Sequence, residues 1–183
     1  MWPAVCSFGI GSLPIMPPPP PPFEGMHVLV VHFPVALPLV AMAFVFAGMI
    51  FPLRLRWCSW AAVVLLAMGT VGMFVAVATG EAARDVVEDG PDEMFTVLGQ
   101  HEQLGELSRI VFLIVTMLYG LFVLLPSVVR KWMIPSYLVP VQLVFLLVLL
   151  VSNVLLANTA HLGGRLVHQY GVHAAIAEAT QGE

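Results

Sequence analysis

The chain has 183 residues, of which 60% are hydrophobic and only 10% charged, with a mean hydropathy of +0.95. Soluble domains carry about 25% charged residues, so the composition excludes an ordinary soluble globule, and a net charge of −4 leaves no basic footprint for nucleic acid. The two cysteines, Cys6 and Cys58, form no C-x-x-C or C-x-x-C-H pattern, which removes support for thioredoxin chemistry, zinc ribbons and covalently attached heme.

Residues 1–25 form a Pro-rich N-terminal extension without a basic n-region, unlike a cleaved signal peptide. The Pro17 to Pro22 run predicts polyproline II, a stiff spacer or recognition segment. Met26 is equally suited to be the true start. The expected division is this extension, a membrane domain over 26–174 and a tail over 175–183.

A hydrocarbon core about 30 Å thick is crossed by about 20 apolar residues in a helix. Four stretches meet that length: 28 to 51, 57 to 79, 108 to 129 and 134 to 158. The expected fold class is all-α, an integral membrane four-helix bundle with up-down-up-down order. Arg54 and Arg56 lie in the first connection and Arg130 and Lys131 in the third. The positive-inside rule then puts both connections in the cytoplasm and both termini on the outer, periplasmic side of an inner membrane.

The first helix opens "HVLVVHFPVAL", and spacing predicts an inward stripe of Val28, His32, Val35 and Leu39. His27 lies about 140° around the helix from His32, so the two do not share one axial position. Pro34 and Pro38 predict kinks. The second helix places Gly69, Gly72 or Met73, Ala76 and Gly80 along one side. Close helix packing is the commoner reason for such a stripe, and room for a flat macrocycle is the other.

Gly80 to Arg109 reads as a long polar connection. Its acidic part carries Glu81, Asp85, Glu88, Asp89, Asp92 and Glu93 against Arg84. It is suited to solvation or to docking a basic soluble partner such as a c-type cytochrome. Ahead of the third helix, Val97, His101, Leu104, Ser108 and Val111 share a stripe, with Glu102, Glu106 and Arg109 on another. The fourth helix carries Gln142, Ser152, Asn153 and Asn158, expected to face the bundle or a neighbouring subunit. It ends in "AHLGGRLVHQYGVHA", where Gly163-Gly164 predicts an interruption.

All six histidines map to one membrane face: His27 and His32 at the start of helix 1, His101 before helix 3, and His161, His168 and His173 after helix 4. Imidazoles at one depth on several helices are how bundles build metal and cofactor sites. His173 and His27 also suit the ordinary role of a helix-end histidine bonded to a backbone carbonyl. No hydrolase elbow, phosphate loop or catalytic carboxylate pair is evident.

The "HVLVVHFPVAL" opening, the lone His at the third helix and the Gly-Gly closing segment resemble a domain-of-unknown-function family of predicted four-helix bacterial membrane proteins. The resemblance covers about residues 26 to 173. It matches at His27, His32, His101, Gly163 and Gly164, and at His161 and His168 with a subset of relatives. It departs at Val28, where proline is common, and at His168, where an aromatic is frequent. Some relatives are joined to c-type cytochrome modules, which implies respiratory electron transfer.

These readings converge on a membrane b-type cytochrome-like subunit transferring electrons at the outer face of a larger redox complex. Heme b is the expected cofactor, with His32, His101 and His161 as the leading ligands to its iron and His27 and His168 as alternates. The alternative is a non-redox structural subunit or a transition-metal-binding membrane protein.

Overall fold

The structure is a computed structural model that describes residues 23–50, 56–85, 87, 89–128 and 135–172. The Pro-rich extension through residue 22, Arg54, Glu88, Arg130, Lys131, His173 and the tail lie outside the described residues. A 3-10 turn, Phe23–Met26, leads into α1 (His27–Val30) and α2 (His32–Ile50), followed by α3 (Arg56–Asp85), α4 (Asp92–Val128) and α5 (Pro135–Tyr170).

α1 and α2 form one crossing, His27–Ile50. The break between them falls at Val31 because Pro34 has no N–H to give the Val30 carbonyl four residues back. Helix geometry persists through Pro38, whose ring lies against the bare α-carbon of Gly69, where a methyl would sit 3.1 Å from Pro38 Cδ. The small-residue side of α3 is therefore closed by α2. Its Gly69 meets Pro38, its Gly72 meets Pro34 and its Gly80 meets His27. Close packing is the use the chain makes of that stripe at Gly69 and Gly72, and at Gly80 the neighbour is the His27 imidazole.

Four crossings are long and apolar enough to span a membrane: His27–Ile50, Arg56–Asp85, Asp92–Leu125 and Leu138–Tyr170. Each helix packs on two neighbours, in the order α2–α3–α4–α5 and back to α2. The helices thus stand at the corners of a square, with α2 diagonal to α4 and α3 diagonal to α5. The inner core is built by Ala41, Val45, Leu66, Phe112, Tyr119 and Leu149 among others. Val71, Met117 and Val151 face outward at 64–70% exposure, the pattern of a bundle solvated by lipid.

At about 1.5 Å per residue, helices of 30, 37 and 36 residues (α3, α4 and α5) exceed the hydrocarbon thickness. The expected long connection is thus mostly helix, with α3 running to Asp85 and α4 starting at Asp92. The extension was hidden because its turns are amphipathic instead of uniformly apolar. They bury a second cluster of Met94, Val97, Leu98 and Leu166, packed by Val87, Leu162, Tyr170 and Val172. Gly163-Gly164 does not interrupt α5 either. The helix ends only at Gly171, whose φ of +67° is the left-handed conformation that favours glycine.

Candidate site: two imidazoles across the bundle diagonal

The buried positions of the first crossing are Pro34, Pro38, Ala41, Val45 and Gly48. That differs from the predicted stripe, for Val28, His32 and Leu39 are exposed and Val35 is half-buried. Counting back seven residues from Pro34 reaches His27, so His27 and not His32 shares the inward phase. On α4 the predicted stripe does face inward: Val97 and Ser108 are buried, and His101, Leu104 and Val111 half-buried.

His27 and His101 therefore approach each other from diagonal corners, with ring centroids 6.3 Å apart and planes at 88°. His27 Nδ1 lies 2.8 Å from the carbonyl oxygen of Ala76 on α3. His101 Nδ1 lies 2.9 Å from that of Thr159 on α5. A carbonyl only accepts, so Nδ1 carries the proton in both rings and donates it. The lone pair of each neutral ring then rests on Nε2. This is the tether used to orient metal-ligating histidines, in which one nitrogen is held by an acceptor and the other is free to bind.

Glycine makes both placements possible. A methyl on Gly80 would lie 3.0 Å from His27 Cε1, and one on Gly163 would lie 3.0 Å from His101 Cε1. Hydroxyls occupy the same layer. Thr79 donates to the Val75 and Ala76 carbonyls and lies 3.4 Å from His27 Nδ1. Ser108 and Thr159 hydroxyls meet at 3.4 Å.

The layer lies between the inner core and the second apolar cluster, which covers it from the charged end. Arg84 pairs with Glu102 at 3.1 Å, Arg165 with Glu93 at 3.9 Å, and Arg109 with Glu106. Asp92 and Glu93 occupy the first turn of α4, where negative charge complements the helix dipole. Some of the acidic residues thus have a structural role as well.

The other candidates stand apart. His32, His161 and His168 occupy exposed positions, and none of them joins the His27–His101 pair. Among the described residues no three His, Cys, Asp or Glu side chains form a metal-binding group. The site thus offers two imidazole donors. A groove between α2 and α5, whose walls include Leu39, Met42, Phe46, Leu146 and Leu150, is apolar and offers no such donor.

Sequence reasoning ranked His27 below His32 because it took the inward stripe from Val28 onward. The usable signal was the seven-residue step from His27 to Pro34 and the continuing row through Pro38, Ala41 and Val45. Of the polar residues on the fourth crossing, Gln142, Ser152 and Asn153 are buried and Asn158 is exposed. Of these four, Gln142 reaches another helix, donating to Ser59 Oγ at 3.1 Å. Ser152 and Asn153 donate to carbonyls of their own helix.

The profile of the family described as "Predicted membrane protein (DUF2231)" matches residues 24–175, and the chain belongs to that family. Comparison with curated proteins and with solved structures gives no match.

Proposed function

We propose that this multi-pass membrane protein is a b-type cytochrome-like subunit in which His27 and His101 are the axial ligands of one heme. The observation that carries this reading is the diagonal imidazole pair, each ring tethered through Nδ1 to a helix carbonyl and left with its lone pair on Nε2. The two ring centroids stand 6.3 Å apart, and each ring would hold a metal group through Nε2, the nitrogen its tether leaves free.

The donor number favours heme over a bare ion. Zinc sites take three or four protein ligands, whereas heme iron brings its equatorial nitrogens and asks the protein for axial ones. Two imidazoles fit the second demand. Bound there, heme b supplies one-electron storage and release. The chain's own groups orient the two donors, and the apolar cluster of Met94, Val97, Leu98 and Leu166 limits water access from the charged end. In this reading His32, His161 and His168 lie outside the axial set.

The cation distribution supports placing this end on the periplasmic side of an inner membrane. Glu81, Asp85, Asp89, Asp92 and Glu93 are exposed at the same end, suited to steer a basic soluble c-type cytochrome. Other membrane subunits of a redox complex would cover the lipid-facing helices.

Visible spectra of the detergent-purified protein, expressed with ample heme and then reduced with dithionite, test the proposal. A six-coordinate low-spin heme at one per chain is expected. A colourless protein overturns it.

The second reading is a non-redox subunit whose rings pin the helices. Its support is that perpendicular aromatic pairs prefer centroid distances of about 4.5–7 Å without any metal. In that case His27→Ala and His101→Ala lower stability and change no spectrum.

A further inference from the structure

We infer that the chain is two copies of one helical hairpin, α1/α2–α3 and α4–α5, related by an internal twofold axis along the bundle, and that the outer site receives a single ligand on that axis offering the same metal valence to both sides. The ligand half of this inference rests on the heme reading; the repeat does not.

The two tethers are the same device. In each hairpin the histidine of the first helix donates Nδ1–H to a carbonyl of the second and rests on the glycine four residues further along. The partners are Ala76 and Gly80 for His27, and Thr159 and Gly163 for His101. Laying His27 on His101 carries Pro34, Pro38, Ala41 and Val45 onto Ser108, Phe112, Val115 and Tyr119, all buried. Laying Gly80 on Gly163 carries Leu66, Thr70, Met73, Ala76 and Ala83 onto Leu149, Asn153, Leu156, Thr159 and Leu166, again all buried.

Shared periodicity alone arises between any two bundle helices. Contacts between equivalent residues do not, because under a twofold rotation two equivalent side chains touch only on the axis. Two such contacts occur. His27 meets His101 between α1 and α4 at one end. At the other end Ser59 meets Gln142 between α3 and α5, and these stand equally far before Gly80 and Gly163. One contact joins each diagonal of the square, and together they define a line down the bundle.

A ligand at the histidine end of that line sees one nitrogen donor from each hairpin, in the same tautomer and with the same support. A flat metal macrocycle with two equivalent axial faces has the matching symmetry. Gly80 and Gly163 are then equivalent positioning residues, each setting one ring.

The test is solid-state NMR of the full chain, labelled with 15N-histidine and reconstituted without heme in phosphatidylcholine vesicles, followed by heme titration of the same samples. In the wild type both His27 and His101 should show protonated Nδ1 and unprotonated Nε2. Gly80→Ala should displace the His27 signals more than those of His101, and Gly163→Ala the reverse, each variant converting bound heme from low-spin to high-spin. An Nε2-protonated tautomer in either ring, or a glycine variant that displaces the opposite ring more than its own, overturns the repeat. The wild-type tautomers are read without any substitution, so a variant that misfolds leaves that arm decisive. A wild type with both tautomers as expected but no heme binding overturns the ligand assignment and leaves the repeat standing.

Discussion

The ring of His27 stands perpendicular to that of His101 at a centroid distance of 6.3 Å, although the two residues lie on the first helices of different hairpins and occupy diagonal corners of the bundle. Each is held by a carbonyl of the helix that follows it.

The α2–α3 contact depends on glycine. Gly69→Val should destabilise the protein by about 1–3 kcal/mol, the usual cost of overpacking, because even a methyl there lies 3.1 Å from the Pro38 ring. Equilibrium unfolding in mixed micelles measures it. A neutral result would show that α2 can move away freely.

Tyr119 is fully buried, and the Ser59 and Gln142 side chains are the polar groups within reach of its hydroxyl. A hydrogen bond there contributes about 0.5–1.5 kcal/mol net. Tyr119→Phe should therefore lower stability by about that amount in the same unfolding assay. An unchanged or raised stability would mean that the hydroxyl is not bonded to that pair.

The Arg84–Glu102 pair joins α3 to α4, with the arginine side chain 58% exposed. Exposed pairs contribute about 0–1 kcal/mol and are screened by salt. Glu102→Gln should cost less than about 1 kcal/mol, with the difference shrinking at high salt. A larger, salt-insensitive loss would indicate a dry pair.

The proposed topology rests on Arg54, Arg56, Arg130 and Lys131. In a background lacking Cys6, Asp89→Cys should react with a membrane-impermeant maleimide added outside intact cells, and Arg130→Cys should not. The reverse labelling would invert the proposed orientation of the histidine end.

The four crossings were legible because each is an apolar run long enough for hydrocarbon, a signal that needs no tertiary information. The turns of α3, α4 and α5 at the charged end were not, since Arg84, Glu102 and Arg165 alternate there with small or apolar residues and resemble a loop in composition. His101 was legible from its stripe with Val97 and Ser108, whereas His27 was obscured by a one-position error in the phase of the first helix. The hairpin correspondence is nearly invisible to sequence. Burial constrains volume and polarity loosely, so Pro38 can answer to Phe112 and Val45 to Tyr119, while at the site itself His answers to His and Gly to Gly.

Heme occupancy in alanine variants decides whether His27 and His101 hold the heme. Wild type, His27→Ala, His101→Ala and His32→Ala are expressed with ample heme, purified in detergent, and assayed for heme per chain and iron spin state. One low-spin heme is expected in the wild type and in His32→Ala, and loss of heme or conversion to high-spin in both His27→Ala and His101→Ala. A low-spin heme that survives both of those substitutions, or that disappears with His32→Ala alone, contradicts that assignment.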